Sequence, residues 1–327
     1  MQVGYSIYGV KVRFRWEHPE VGRAVRELAS HFALDPLGST RSLQSDILLH
    51  VSVSEPPWKL PENAEEIGAL DNETRLWRSD GMVYFGRGSA LMRIDLAGGV
   101  GVGYIGSSIA ASTDTLRSYC QGMYLNSLVL LLPRFRLFAL HAAAVSVDGH
   151  GVLLPAGSDS GKSSLAYALV REGWSFVSDD SVLLSARAEN IRALSFRRTF
   201  ALDPDADRHF PELGDVGAAA LAEARKRAIP LTTLRPRQAE TSCVPDLIVF
   251  PRIVDQDESQ VQEIGKAEAL RLMLMQSTIA TSDRTTAEHH LETLRRLAVQ
   301  AKTYRLMSGR DLLERRDAAS TLLRSLL

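Results

Sequence analysis

Gly151-Val-Leu-Leu-Pro-Ala-Gly-Ser-Asp-Ser-Gly-Lys-Ser-Ser164 runs an apolar segment into a loop of small residues and then into the first turn of a helix. The helix continues as Leu165-Ala-Tyr-Ala-Leu-Val170. Such a loop points backbone N–H groups at one spot, where they join the free N–H groups of the helix N-terminus in a cradle for phosphate. Lys162 would supply a movable positive charge for β- and γ-phosphates, and the Ser163 hydroxyl would sit on Mg2+. The full phosphate-loop pattern has glycine where this chain has Ala156, followed by Gly157. The plainer alternative is a connection that only caps a helix through Ser160 or Ser163.

The next segment weighs against that alternative. Glu172-Gly173 ends the helix, with Gly173 suited to a left-handed C-terminal cap, and Trp174-Ser-Phe-Val-Ser-Asp-Asp180 reads as a strand. A strand–loop–helix–strand unit predicts parallel strands with ligands at their carboxyl ends. Asp179 and Asp180 fall at that edge. Neighbouring strand residues face opposite ways, which predicts distinct roles: one carboxylate on Mg2+, the other accepting a proton from an attacking hydroxyl.

Residues 137–184 resemble the catalytic domain of the HPr serine kinase/phosphorylase family, whose phosphate-loop core is related to phosphoenolpyruvate carboxykinase. The run that carries the resemblance is Leu140-His141-Ala, Val145-Ser-Val-Asp-Gly149, Gly151-Val-Leu-Leu154, the loop itself, Leu169-Val-Arg-Glu-Gly173 and Ser178-Asp179-Asp180. The resemblance implies an α/β fold: a P-loop-containing phosphoenolpyruvate carboxykinase/HPr kinase-like core over residues 113–327, preceded by a smaller α+β domain over 1–112. It implies ATP and Mg2+ as cofactors, with Ala156, Gly157, Ser158, Asp159, Ser160, Gly161, Lys162, Ser163 and Ser164 around the nucleotide. It further implies Asp179 as proton acceptor, His141 and Lys162 as catalytic partners, and Ser163 with Asp180 on the metal.

This sequence departs from the family at Ala156, and it lacks the later Glu-Cys-Arg-Gly-Leu-Gly segment that serves phosphate release; Ile191-Arg-Ala-Leu-Ser-Phe-Arg-Arg-Thr-Phe200 stands there instead. It is therefore closer to the diverged HPr kinase-related proteins, some of which phosphorylate ribosomally made precursor peptides such as lasso-peptide precursors. The expected activity is transfer of a γ-phosphate to serine in a peptide or small protein. A kinase for a small metabolite and a nucleotide-binding regulator without turnover stand as alternatives. Arg197, Arg198 and Arg252 are the candidates to face the transferring phosphoryl group. Family members often form homo-oligomers, which leaves self-association open.

Bulk properties agree with a globular enzyme of two domains. The 327 residues are 45% hydrophobic and 24% charged with net charge −1, which favours neither a nucleic-acid nor a membrane-surface partner. Cys120 and Cys243 are too few for a disulfide framework and lack metal-ligand spacing. Met1-Gln-Val-Gly-Tyr-Ser reads as a strand, not a leader, and the apolar run Leu128–Leu132 is far short of the roughly 20 residues that span a bilayer. A cytoplasmic location is the expectation. Lysine is scarce and arginine supplies most positive charge, so Lys162 stands out where a compact ammonium is wanted.

Elsewhere, periodicity predicts a hairpin over Val3–Val10 and Lys11–Trp16, a helix over Pro19–Phe32 and a strand over Asp46–Val53. The stretch from Pro56 to Glu73 reads as a surface connection, and three strands follow at Thr74–Arg78, Met82–Gly86 and Leu91–Leu96. Thr113–Leu132 reads as a helix leading into the core. Asp203–Glu240, rich in proline and arginine, reads as a lid or peptide-binding loop, or equally as a solvated excursion. Asp246–Pro251 and Thr303–Met307 read as strands; Ala267–Met275, Ala287–Gln300 and Leu312–Leu327 as helices.

Overall fold

The computed structural model describes residues 1–38, 44–70, 73–213, 219–220, 227–230, 238–277 and 284–327. Much of the Asp203–Glu240 segment, with its Arg225-Lys226-Arg227 cluster, Arg235 and Arg237, lies outside the described residues or their described side chains. The chain divides into two compact units, one comprising Met1–Phe135 and the other most of the chain from Arg136 onward. Both mix helices and sheets. No described helix is long and apolar enough to cross a membrane.

The first unit is built on one nine-stranded sheet. Its strands are β1 (Gln2–Ile7), β2 (Val10–Trp16), β3 (Asp35–Pro36), β4 (Ile47–Val53), β5 (Glu65–Ala69), β6 (Arg75–Ser79), β7 (Met82–Arg87), β8 (Ala90–Asp95) and β9 (Val100–Ile105). They lie in the order β3-β1-β2-β4-β9-β8-β7-β6-β5. Helix α1 (Pro19–His31) starts with proline, whose missing N–H costs nothing there, and the His18 ring accepts from the Glu20 N–H at 3.3 Å. It buries Val21, Ala24, Val25 and Leu28, one stripe at helical spacing. A short helix α2 (Ser107–Ala110) and the long α3 (Thr113–Leu131) follow.

Three features differ from the expectation. The connection from Pro56 to Glu73 contains β5, an exposed edge strand with a bulge between Glu66 and Gly68, so it carries no apolar alternation. Val-Gly-Val-Gly-Tyr-Ile forms β9, whose glycines weaken any strand reading. Packing uses their small size: a Cβ at Gly103 would lie 2.5 Å from both Met123 Cε and Met92 Sδ, so those side chains would have to move. And α3 belongs to the first unit, so the division falls at Phe135/Arg136 and not at 112/113. Tyr124 of α3 sets its ring edge-on to Phe14 of β2 and donates its hydroxyl to the Arg15 carbonyl at 3.2 Å.

The second unit contains β10 (Leu137–Leu140), β11 (Ala142–Val147), β12 (His150–Pro155), α4 (Lys162–Arg171), β13 (Ser175–Ser178), β14 (Val182–Ser185), β15 (Arg192–Ser195) and β16 (Thr199–Leu202). After these come β17 (Ala219–Ala220), β18 (Arg227–Pro230), β19 (Ser242–Cys243), β20 (Pro245–Ile253), β21 (Gln260–Glu263) and α5 (Lys266–Met275). Then α6 (Arg284–Gln300), β22 (Lys302–Ser308), α7 (Asp311–Glu314) and α8 (Ala318–Leu326) complete the chain. The central sheet runs β13-β11-β12-β20-β22-β21, with β12, β20 and β22 parallel. A second sheet runs β10-β14-β15-β19, and a third β16-β18-β17.

The strands flanking α4 are not neighbours, contrary to the simple strand–helix–strand picture. β11 lies between β12 and β13, antiparallel to both. Its placement follows from the Asp148-Gly149 turn, where both residues have positive φ (52° and 87°), the geometry that closes a two-residue hairpin. β12 and β13 still point the same way, so their carboxyl ends share one edge. The Leu312–Leu327 segment is also interrupted: Arg315 is extended (ψ 117°) and separates α7 from α8.

Candidate phosphate-transfer site

Helix α4 is apolar nearly all round, burying Leu165, Ala166, Tyr167, Ala168, Leu169 and Val170. A helix of that kind sits inside a core and is fixed there. Its rear end closes by hydrogen bonds from Gly173 N–H to the Val170 carbonyl (3.1 Å) and from Trp174 N–H to the Leu169 carbonyl (3.2 Å), with Gly173 at φ 95°. That double closure is the left-handed glycine cap expected from Glu172-Gly173. Trp174 is fully buried and donates its indole N–H to Ser320 Oγ at 2.9 Å.

The front end of α4 carries the loop. Asp159 (φ 60°) and Gly161 (φ 84°) are left-handed, and Gly161 is the N-cap residue. Left-handed residues among right-handed ones fold successive N–H groups into a concavity for anions. Ser160 Oγ donates back to the Gly157 carbonyl at 2.8 Å and tightens the loop. Ala156 is buried and has no positive φ, so glycine is not needed there. Ser158 is exposed and Gly157 half-buried. A cavity of about 340 Å3 opens against Asp159–Ser164, with Ala201, Asp203 and Ile253 on its other sides.

The two aspartates diverge as soon as β13 ends. Asp179 is wholly buried, and both its oxygens are taken: Oδ1 accepts from the Ser163 hydroxyl at 3.0 Å, Oδ2 from the Ala201 N–H at 2.8 Å. Asp180 turns the other way because its backbone is left-handed, at φ 64°. A non-glycine residue held there costs on the order of 1–2 kcal/mol. Its Oδ1 lies 3.1 Å from Lys162 Nζ and 3.7 Å from His141 Nδ1, while Oδ2 accepts from Arg197 Nη1 at 3.0 Å. Lys162 and Arg197 are buried, whereas Asp180 keeps 30% of its side chain exposed.

Their acidities separate accordingly. Burial raises the Asp179 carboxyl, the neighbouring Asp180 charge adds to the rise, and the Ala201 N–H, Lys162 and Arg197 oppose it. Burial also acts to raise Asp180, but the charges of Lys162, Arg197 and His141 outweigh it and bring the group down to about 2.

The turn between these residues is pinned by Ser178. Its hydroxyl accepts from the N–H groups of Phe196 and Arg197, both at 3.0 Å, and shares its proton between the carbonyls of Ser181 (2.7 Å) and Arg197 (2.9 Å). His141 joins β10 to β11, and its N–H donates to the Gln276 carbonyl at 2.8 Å. Of the three arginines singled out from the sequence, Arg197 is placed on Asp180, Arg198 is half-buried beyond it, and Arg252 is exposed near the end of β20. The sequence reading gave Ser178 no role of its own and did not single out Ile253; the first is a small polar residue in a strand, the second an apolar residue at a strand end. Among the described residues no three His, Cys, Asp or Glu side chains form a metal cluster.

No family model matches the chain, and no curated protein matches it. Among solved structures the chain is similar to the HPr(Ser) kinase/phosphatase from Coxiella burnetii, with 16% identity and a TM-score of 0.27 over 38% of this chain and 72% of that one.

Proposed function

We propose that this protein is a phosphotransferase that binds a nucleoside triphosphate, ATP in the first instance, with Mg2+ and moves its γ-phosphate to a hydroxyl. One observation carries the reading: a left-handed loop at the head of a buried helix stands beside a carboxylate flanked by Lys162, Arg197 and His141. Phosphoryl transfer needs positioning and charge stabilisation more than covalent help, and these groups offer both.

The donor set fits Mg2+, which favours one or two carboxylates and substrate phosphates over an all-protein cage. Ser163 and Asp179 would hold it, the hydroxyl directly and the buried carboxylate behind it. When bound, Mg2+ would neutralise charge on the phosphates. Lys162 would leave Asp180 for the phosphate oxygens, and Arg197 would face the equatorial oxygens of the transferring group.

We assign proton acceptance to Asp180, reversing the assignment the resemblance implies, because Asp179 has no free oxygen and no exposed surface. The acceptor hydroxyl gives its proton to the Asp180 carboxylate as its oxygen bonds to the γ-phosphorus. The bond from that phosphorus to the bridging oxygen breaks, and the bridging oxygen keeps the electron pair on the departing diphosphate. Transfer of Lys162 to the phosphates would raise the pKa of Asp180 from its resting value of about 2, making it a better base. The acceptor we favour is serine in a peptide or small protein.

That low resting value favours a second reading, a regulator that binds nucleotide without turnover. Incubation with γ-labelled ATP, Mg2+ and serine-bearing peptides separates the two. Transfer that is lost in Lys162→Ala supports the kinase; binding without transfer to any peptide, metabolite or the protein itself supports the regulator.

A further inference from the structure

We propose that the apolar cavity between the start of α4 and the ends of β20 and β22 holds the nucleoside part of the nucleotide, an inference that rests on the phosphate-transfer reading. The cavity measures about 350 Å3, within the range of small-ligand sites, and its walls include Leu165, Ile253, Val254, Leu312 and Leu313, with His209 at the rim. It adjoins the phosphate cavity, for Gly161, Ser164 and Ile253 line both.

The direction of the triphosphate follows from the strand order. β13 delivers the aspartates on one flank of β12, and β20 and β22 lie on the other flank. Lys162, Asp180 and His141 mark where the γ-phosphate reacts. The nucleoside must therefore leave the loop on the opposite flank, and there the apolar cavity opens.

Two further features belong to a ligand and not to a packing defect. Ile253 is 58% exposed although it ends a strand in the middle of the sheet, and a flat base laid on it would remove that apolar surface from water. The floor is rigid: Val254 N–H donates to the Ser308 carbonyl at 3.0 Å, and Gly309 sits so close to the 256–258 backbone that a Cβ would fall 2.8 Å from the Glu258 carbonyl carbon. A preformed apolar slot beside a phosphate cradle is complementary to a base on one side and charge on the other.

The test is calorimetric titration, with Mg2+ present, of ATP against inorganic tripolyphosphate, which shares the phosphates and lacks the nucleoside. ATP should bind at least tenfold more tightly. Val254→Trp and Leu313→Trp, which fill the slot, should lower ATP to the affinity of tripolyphosphate and leave tripolyphosphate unchanged. Photolabelling of the unaltered protein with an azido-ATP should mark peptides containing residues 253–254 or 308–314, and this readout decides the matter should a tryptophan variant fail to fold. Equal affinity for ATP and tripolyphosphate, or label confined elsewhere, overturns the nucleoside site and leaves the phosphate cradle standing. No binding of either compound overturns the cradle itself, and the nucleoside site with it.

Discussion

Lys162 Nζ lies 3.1 Å from Asp180 Oδ1. The ammonium that the loop offers to phosphate is thus already neutralised by the carboxylate proposed to receive a proton. On the proposed reading, one motion, the transfer of Lys162 from carboxylate to phosphate, would both clamp the nucleotide and release the base. Each group would hold the other inert until the ligand arrives. Removing Lys162 should therefore disable two functions. Lys162→Ala is expected to lower phosphate transfer by about 100- to 1,000-fold, the usual cost of one charge-stabilising donor. Lys162→Arg should recover little, since a planar fork does not replace a compact ammonium in a buried slot. Steady-state assays with labelled ATP check both, and a fully active arginine variant would contradict the account.

Asp180→Asn should abolish proton acceptance and keep the shape. Transfer is expected to fall by about 100- to 10,000-fold, the range for a positioned base. Nucleotide affinity should hold or improve, because a negative charge beside the phosphates is gone. Titration with a non-hydrolysable ATP analogue, run beside the activity assay, separates the two effects. An unchanged rate would remove Asp180 from the role of proton acceptor.

Stability should depend on pH through the same residue. The Asp180 carboxyl lies at about 2 in the folded protein against an ordinary 3.8, so the folded state favours its charged form. The contribution is fully present above about pH 4 and is lost as pH falls toward 2, and it amounts to about 2 kcal/mol. Asp179, with a raised value, acts in the opposite sense: its protonation favours the folded state as pH falls. Denaturant unfolding of the natural protein and Asp180→Asn should differ at pH 7 and converge near pH 2. A gap that does not change with pH would rule out the ion pair as its source.

Ala156→Gly, which restores the full loop pattern, should not improve nucleotide binding. Ala156 is buried without positive φ, so the glycine adds only freedom to the unfolded chain. A loss of about 0.5–1 kcal/mol in stability is expected, read by thermal or denaturant unfolding. A gain of tenfold or more in ATP affinity would show that the methyl group obstructs the cradle.

Gly161→Ala should do the reverse, with damage to function. Its φ of 84° disfavours a side chain, and the new methyl would lie 3.1 Å from Ile253 Cγ1. The expected cost is about 1–2 kcal/mol, with weaker binding of both ATP and tripolyphosphate. Calorimetry of both ligands reads it, and unchanged affinities would show that the loop tolerates the shift.

The parts of the site that lie close together in the chain were legible. The loop and the Asp179-Asp180 pair announce themselves because local spacing places them at one strand edge, and Gly173 because it ends the helix between them. The different surroundings of the two aspartates were not legible, for they depend on a left-handed Asp180 whose turn is held by Ser178 and the distant residues Phe196 and Arg197. Arg197 could be named only as one arginine of three, since its pairing with Asp180 is a tertiary fact. In the fold, β9 was hidden by glycines packed against the ends of Met92 and Met123, and β5 by its exposed edge position. The placement of β11 between β12 and β13 was hidden by a rule of thumb: a helix joining two strands says how they point, not what separates them.

The four contacts of the Ser178 hydroxyl tie the Asp180 turn and the start of Arg197 to one oxygen atom. The backbones that carry the carboxylate and the guanidinium are consequently joined in one frame, and the guanidinium is held at its far end by Asp180 Oδ2 at 3.0 Å. The free-energy cost of ordering them is met when the chain folds, not when substrate arrives. The proposed transfer would then ask for one adjustable part, the side chain of Lys162, set in an otherwise preorganised enclosure.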